Sequence, residues 1–134
     1  MLNLKNNILA LDVGEKRIGL AVVQKNNFIV KPLNYLDNDD FLNHHLKQII
    51  QNNEINVLVV GLPRNMSGQL TKQSQKVKEF VNQHLRPLNL KIVYQDESLT
   101  SVLAEQNLSF QVKSKGGVDS ESACLILEDY INSL

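Results

Sequence analysis

Tryptophan is absent from this 134-residue chain, cysteine occurs once, proline three times, and aromatic residues make up 5%. The lone Cys124 excludes a disulfide within the chain, and its place between Ala123 and Leu125 in an apolar helical stretch predicts a buried thiol of an intracellular protein. No apolar run approaches the roughly 20 residues of a membrane span. Met1 to Asn7 lacks a signal-peptide apolar region, so the expected location is the cytoplasm. Charge of one sign is lacking too: 14 Lys and Arg stand against 14 Asp and Glu. A nucleic-acid partner must then be gripped by a local basic patch rather than by a bulk field. So few aromatics give no basis for extensive base stacking, and recognition by backbone shape is favoured over recognition of sequence.

What is present suits one globular domain, residues 1–134, with 43% apolar residues to build a core. Ile8 to Leu11 is a nearly continuous apolar run, as in a central strand covered on both faces. Ile18 to Gln24 reads as a second strand, and the polar turn Lys25-Asn26-Asn27 leads into a third beginning at Phe28-Ile29-Val30. After Asp37 or Asn38, either able to cap a helix, Phe41, Leu42, His45, Leu46, Ile49 and Ile50 recur at helical spacing to about Asn53. Ile55 to Val60 predicts a buried strand stopped by Gly61-Leu62-Pro63. A second helix is expected from about Thr71 to Arg86, stopped by Pro87, and a fifth strand from Leu90 to Gln95 ending at Asp96-Glu97. Helices at Thr100 to Gln106 and Val118 to Ser133 complete the order βββαβαβαα. That order implies an α/β domain whose mixed sheet has three antiparallel strands first and later strands joined by helical crossovers, with helices on both faces.

Three carboxylates fall at element ends that this topology can bring together: Asp12, Glu97 and Asp119. Oxygen-only ligands suit Mg²⁺ or Mn²⁺, and a pair of such ions can activate water and stabilise the leaving oxygen of a phosphodiester. Each acid also has an ordinary explanation. Asp12 can open the turn before Gly14, Glu97 can be a solvated strand end, and Asp119 can answer the helix dipole.

Leu11-Asp12-Val13-Gly14 with Lys16-Arg17-Ile18-Gly19, Val59-Val60-Gly61-Leu62-Pro63, Asp96-Glu97, and Val118-Asp119 before Ala123-Cys124-Leu125-Ile126-Leu127 together resemble the YqgF/RuvX family. These ribonuclease H-like proteins are described as Holliday junction resolvases and as nucleases that mature the 5′ end of pre-16S ribosomal RNA. The resemblance spans nearly the whole chain and implies a five-stranded sheet with three antiparallel strands first. It also places the family's acidic positions on Asp12, Glu97 and Asp119. Ser98 stands where the family usually has an arginine after its Asp-Glu pair, so a phosphate contact made there must come from another residue. With the fourth strand beside the first and the fifth beyond it, Glu97 and Asp12 start from backbones about 10 Å apart. Asp96 is the alternative ligand, because successive strand residues face opposite sides.

Lys16 and Arg17, directly after Asp12, are the best-placed phosphate contacts, followed by Arg64 and by Lys113 and Lys115 around a Ser-Lys-Gly-Gly stretch. That last stretch also reads as a plain connection between helices, and Lys72, Lys76 and Lys78 as a solvated face. His44 and His45 are adjacent on one helix and cannot share an ion, so zinc is disfavoured; His45 takes a core-facing phase and His84 a helix end. The expected function is a Mg²⁺- or Mn²⁺-dependent endonuclease on structured RNA, a ribosomal RNA precursor first of all, with ribosomal particles as partners and a monomeric or homodimeric state. Four-way DNA junctions are the alternative substrate, and symmetric resolution there needs a dimer. A non-catalytic RNA-binding domain is a further reading. An ATPase of the actin and sugar-kinase kind is disfavoured, because those proteins close two such domains around the nucleotide.

Overall fold

The computed structural model describes residues 4–27, 29–64, 67, 69–96 and 118–134, with 118 and 119 placed by their backbone alone. Strands β1 (Ile8–Val13), β2 (Arg17–Val23), β3 (Lys31–Asp37), β4 (Val57–Leu62) and β5 (Lys91–Asp96) form one sheet in the order β3-β2-β1-β4-β5. β1 pairs antiparallel with β2 and β2 with β3, whereas β4 runs parallel to both β1 and β5. Helix α1 (Leu42–Asn52) carries the chain from β3 to β4, α2 (Lys72–Phe80) begins the crossover to β5, and α3 (Val118–Asn132) closes the fold. The mixed sheet and its order match the sequence expectation.

β1 and β4 are central and covered on both faces, which is why their sequences are almost unbroken apolar runs. Leu9 and Leu11 join Leu42, Leu46, Val77, Phe80 and Leu85 in one core on the α1 and α2 side. Ile8 and Ala10 join Val57, Val59, Ala123, Cys124 and Leu127 in a second core under α3. Helices therefore do lie on both faces.

Several boundaries differ from expectation for local reasons. β3 starts at Lys31 rather than Phe28, and Ile29 just before it is 63% exposed. As an edge strand β3 tolerates Pro32, and its pairing with β2 slips between Ile18 and Leu20. β4 runs on to Leu62, so Gly61 lies inside the strand instead of ending it. Neither Asp37 nor Asn38 caps α1: Asp37 ends β3, and Asp39 Oδ1 accepts the Phe41 N–H at 3.0 Å in the turn before the helix. Phe41 is 66% exposed and His45 is also exposed, so the buried stripe of α1 is Leu42 and Leu46 with Ile49 and Ile50 beside it.

α2 begins near the expected Thr71, which serves as its cap in a capping box with Ser74: the Thr71 hydroxyl accepts the Ser74 N–H at 3.2 Å, and the Thr71 N–H donates to Ser74 Oγ at 3.0 Å. The helix then widens to a π-turn over Val81–Leu85 and tightens to a 3₁₀ turn over Arg86–Leu88. Pro87 sits within that turn, and Asn89, at φ 59°, provides the left-handed residue that ends it. β5 starts one residue later than expected, and the expected helix from Thr100 to Gln106 lies outside the described residues. No helix among the described residues is long and apolar enough to cross a membrane.

Candidate active site

Alternation along β1 sends Leu9 and Leu11 to the α1 and α2 side and Ile8 and Ala10 to the α3 side, so Asp12 falls on the α3 side. It is half-buried at the strand end. Across the antiparallel ladder its partner is Gly19. On the other flank Leu11 is in register with Val60, and Val60 with Tyr94. One residue further along that register, Asp12 is level with Gly61, and Gly61 pairs with Gln95. The Asp12 carboxylate thus stands in a row whose two adjacent strands present glycines. In the sequence Gly19 reads only as part of a motif and Gly61 as a strand stop; the strand register is what sets them beside the acid.

The turn after β1 is closed by the Gly14 N–H donating to the Arg17 carbonyl at 2.9 Å. A Cβ on Gly14 would lie 2.7 Å from that same carbonyl oxygen, so the close approach requires glycine. Asn38 clamps the turn from β3: its N–H donates to the Lys16 carbonyl at 2.8 Å and its Nδ2 to the Gly14 carbonyl at 3.2 Å. Lys16 and Arg17 are both exposed. Arg17 shares the Asp12 side of the sheet by alternation with Gly19 and Ala21, and its Cζ lies 4.9 Å from the Tyr35 ring centre. Lys76 Nζ donates to Glu15 Oε1 at 2.8 Å, tying the turn to α2. That hydrogen bond and the lysine's charge hold the Glu15 carboxyl below its ordinary 4.5.

Asp119 lies in the first turn of α3. Next to it the buried Ser120 donates its hydroxyl to the Leu33 carbonyl of β3. Leu33 is in register with Leu20, and Leu20 with Leu11, so the start of α3 sits over the row immediately below that of Asp12. The Asp119 backbone is therefore brought to the same face and the same end of the sheet as Asp12. Glu97, Ser98, Lys113 and Lys115 lie outside the described residues.

Asp96 falls on the opposite side of the sheet, with Ile92 and Tyr94 of the α1 and α2 core. Arg64 Nε is 2.8 Å from Asp96 Oδ1, so the arginine expected to meet phosphate holds this carboxylate. Lys72 and Lys76 are exposed as expected, while Lys78 is half-buried with its Nζ 6.0 Å from the Tyr94 ring centre. A groove of about 790 Å³ between the β1–β2 turn and α2, lined by Val13, Asn38, Lys72, Lys76 and His84, is on that far side too.

Histidine plays no part in the acidic end. His44 and His45 are exposed, and His84 Nδ1 is 2.7 Å from Asn43 Oδ1, joining α1 to the π-turn. Burial, then the charges of Glu128 and Glu121, push the Cys124 thiol up to about 12, which leaves it an inert part of the core. Among the described residues no three His, Cys, Asp or Glu side chains gather around one point. Of the three expected carboxylates, Asp12 alone has a described side chain. A half-buried carboxylate flanked by glycines, with further acids rather than thiols or imidazoles as its expected companions, is a donor set that fits a hard divalent cation.

Known proteins resemble the chain in both sequence and fold. A 37% identical relative from a Sulfurihydrogenibium species matches 96% of this chain and 92% of its own length, and is named "Putative pre-16S rRNA nuclease". A 36% identical relative from Thermoanaerobacter pseudethanolicus carries the same name and matches 94% of this chain and 96% of itself. The crystal structure of the fowlpox virus Holliday junction resolvase superposes with a TM-score of 0.60 at 15% identity, covering 96% of this chain and 99% of that one. That likeness shows a resolvase-type, ribonuclease H-like fold. The family model described as "RuvX: Holliday junction resolvase" matches residues 6–133, and the chain belongs to this family.

Proposed function

We propose that the protein is a divalent-metal-dependent endonuclease whose single domain, residues 1–134, cleaves structured RNA, most specifically in maturing the 5′ end of pre-16S ribosomal RNA in the cytoplasm. The observation that carries this reading is the Asp12 carboxylate at the end of β1, flanked by Gly19 and level with Gly61, with Asp119 on the same face and at the same end of the sheet. Its relatives of more than 30% identity bear the name of a pre-16S rRNA nuclease.

Asp12, Glu97 and Asp119 hold Mg²⁺ or Mn²⁺ in this reading. When bound, such ions supply a more acidic water and charge neutralisation at the leaving oxygen. Asp96 lies on the far side of the sheet from Asp12 and is paired with Arg64, which supports Glu97 over Asp96 as the ligand. Lys16 and Arg17 steady the substrate phosphate from a turn clamped by Asn38. Lys113 and Lys115 add basic contacts from the segment before α3, and Arg64 acts close to the β4 end while paired with Asp96.

The family's description favours a second reading, resolution of four-way DNA junctions, with the same residues and a dimer to supply two sites. Cleavage of a pre-ribosomal RNA fragment and of a four-way junction by the same preparation, with and without Mn²⁺, tests both. The first reading expects the RNA to be cut, and the second the junction.

A further inference from the structure

We propose that Tyr35, with Arg17 against its ring, is a stacking platform for an unpaired nucleotide beside the phosphodiester held at Asp12. The inference deepens the nuclease reading and rests on it. Its consequence is a preference for substrates in which a paired stem gives way to a single strand.

Three observations place the platform. Tyr35 is 39% exposed on the edge strand β3, where core packing does not call for a large ring. The Arg17 guanidinium lies over that ring at 4.9 Å and shares the Asp12 side of the sheet, so the ring is on that side as well. The slip in pairing supplies the alignment. Ile18 pairs with Leu36 and Leu20 with Leu33, which leaves Asn34 and Tyr35 facing Gly19, the residue that pairs with Asp12.

Reading across the sheet from β3 to β1, the row is Tyr35, Gly19, Asp12. The outer two stand on backbones about 10 Å apart, two inter-strand spacings, and the residue between them has no side chain. A strand whose phosphate meets the Asp12 end can lay a neighbouring base toward the Tyr35 ring over this glycine floor. A planar guanidinium and an aromatic ring both stack on bases, and the guanidinium's charge also serves the phosphate. A paired base keeps its faces inside the helix and gains nothing here. Phe41, the other exposed large aromatic among the described residues, comes after β3 has ended and is outside this row.

The test compares affinities in an Asp12→Asn background, where cleavage does not interfere. Fluorescence anisotropy with Mg²⁺ present follows three labelled probes: an RNA hairpin closed by a non-nucleotide linker and carrying a single-stranded 5′ extension, the same linker-closed hairpin with a blunt end, and a fully paired four-way DNA junction. Tyr35→Ala and Tyr35→Leu are expected to weaken binding of the extended hairpin by about tenfold or more, the usual range for losing one base stack. Tyr35→Phe is expected to bind it as the parent does, and none of the three to alter binding of the blunt hairpin or the junction. Unchanged affinity of both Tyr35→Ala and Tyr35→Leu for the extended hairpin, or an equal loss on all three probes, overturns the platform. If the wild type cuts RNA or junction while the ring proves irrelevant, the platform alone falls. If the wild type cuts nothing and the Asp12→Asn protein binds no probe, the nuclease reading falls with it.

Discussion

Asp12 at the end of β1 pairs with Gly19 of β2, so the carboxylate's nearest neighbour across the ladder is a backbone without a side chain. The pairing accounts for a feature that composition alone does not explain, a glycine in the middle of a buried strand, where it ordinarily costs stability.

Gly19→Val puts a branched side chain beside the Asp12 carboxylate. We expect kcat/KM to fall by more than about tenfold, equivalent to roughly 1.4 kcal/mol of barrier. The crowding should lower stability by only about 1–3 kcal/mol. Steady-state cleavage together with urea unfolding separates the two effects, and full activity in a folded Gly19→Val protein would remove the glycine from the site.

Asp96→Asn and Glu97→Gln should behave oppositely. Asp96 lies on the far side of the sheet with Arg64, so its neutral variant should keep its cleavage rate and lose at most about 1 kcal/mol of stability from a half-exposed ion pair. Glu97→Gln should lose cleavage at any attainable Mn²⁺ concentration. A metal titration of the two variants checks this, and the reverse pattern would make Asp96 the ligand.

Ser74 is buried, completes the capping box with Thr71, and donates its hydroxyl to the Pro63 carbonyl just past β4. Ser74→Ala removes the donor and leaves that carbonyl without it. A loss of about 1–3 kcal/mol is expected by urea unfolding. A change of only a few tenths would mean that the helix start does not anchor the β4 exit.

Glu128 and Asp129 on α3 are half-buried, and desolvation raises both carboxyls above their ordinary 4.5 and 3.8. A raised carboxyl favours folding while protonated, so its contribution is full below the ordinary value and is lost as pH rises through the raised one. At neutral pH an ionised Glu128 is a burden. Glu128→Gln should therefore melt higher than the parent at pH 7, with the gap closing as pH falls toward 4.5. Thermal melts across that window decide it; a gap independent of pH would contradict the burial effect.

Much of the fold was legible because apolar patterning reflects burial directly. Continuous runs marked β1 and β4, helical spacing marked α1 and α3, and Thr71 marked the start of α2. β3 was misplaced because an edge strand has little to bury: Ile29 looked like its beginning yet is exposed, while Lys31, Pro32 and Asn34 carry no strand signal. His45 took the right phase for the core of α1, but the buried stripe is narrow and ends at Leu42 and Leu46. The site was legible as a set of acids at element ends. The glycines beside Asp12, the Arg64–Asp96 pair and the Tyr35 alignment were not, since each depends on strand register and on which face a residue takes.

Asp12 as the metal-holding carboxylate of a nuclease is tested most directly by its own neutral variant. Wild type and Asp12→Asn, purified identically, should be compared on a pre-ribosomal RNA fragment with and without Mn²⁺. Wild type should show Mn²⁺-dependent cleavage, and Asp12→Asn a loss of at least about a hundredfold, equivalent to roughly 2.7 kcal/mol, with the melting temperature unchanged to within a few degrees. Equal cleavage by the two proteins would contradict that role for Asp12.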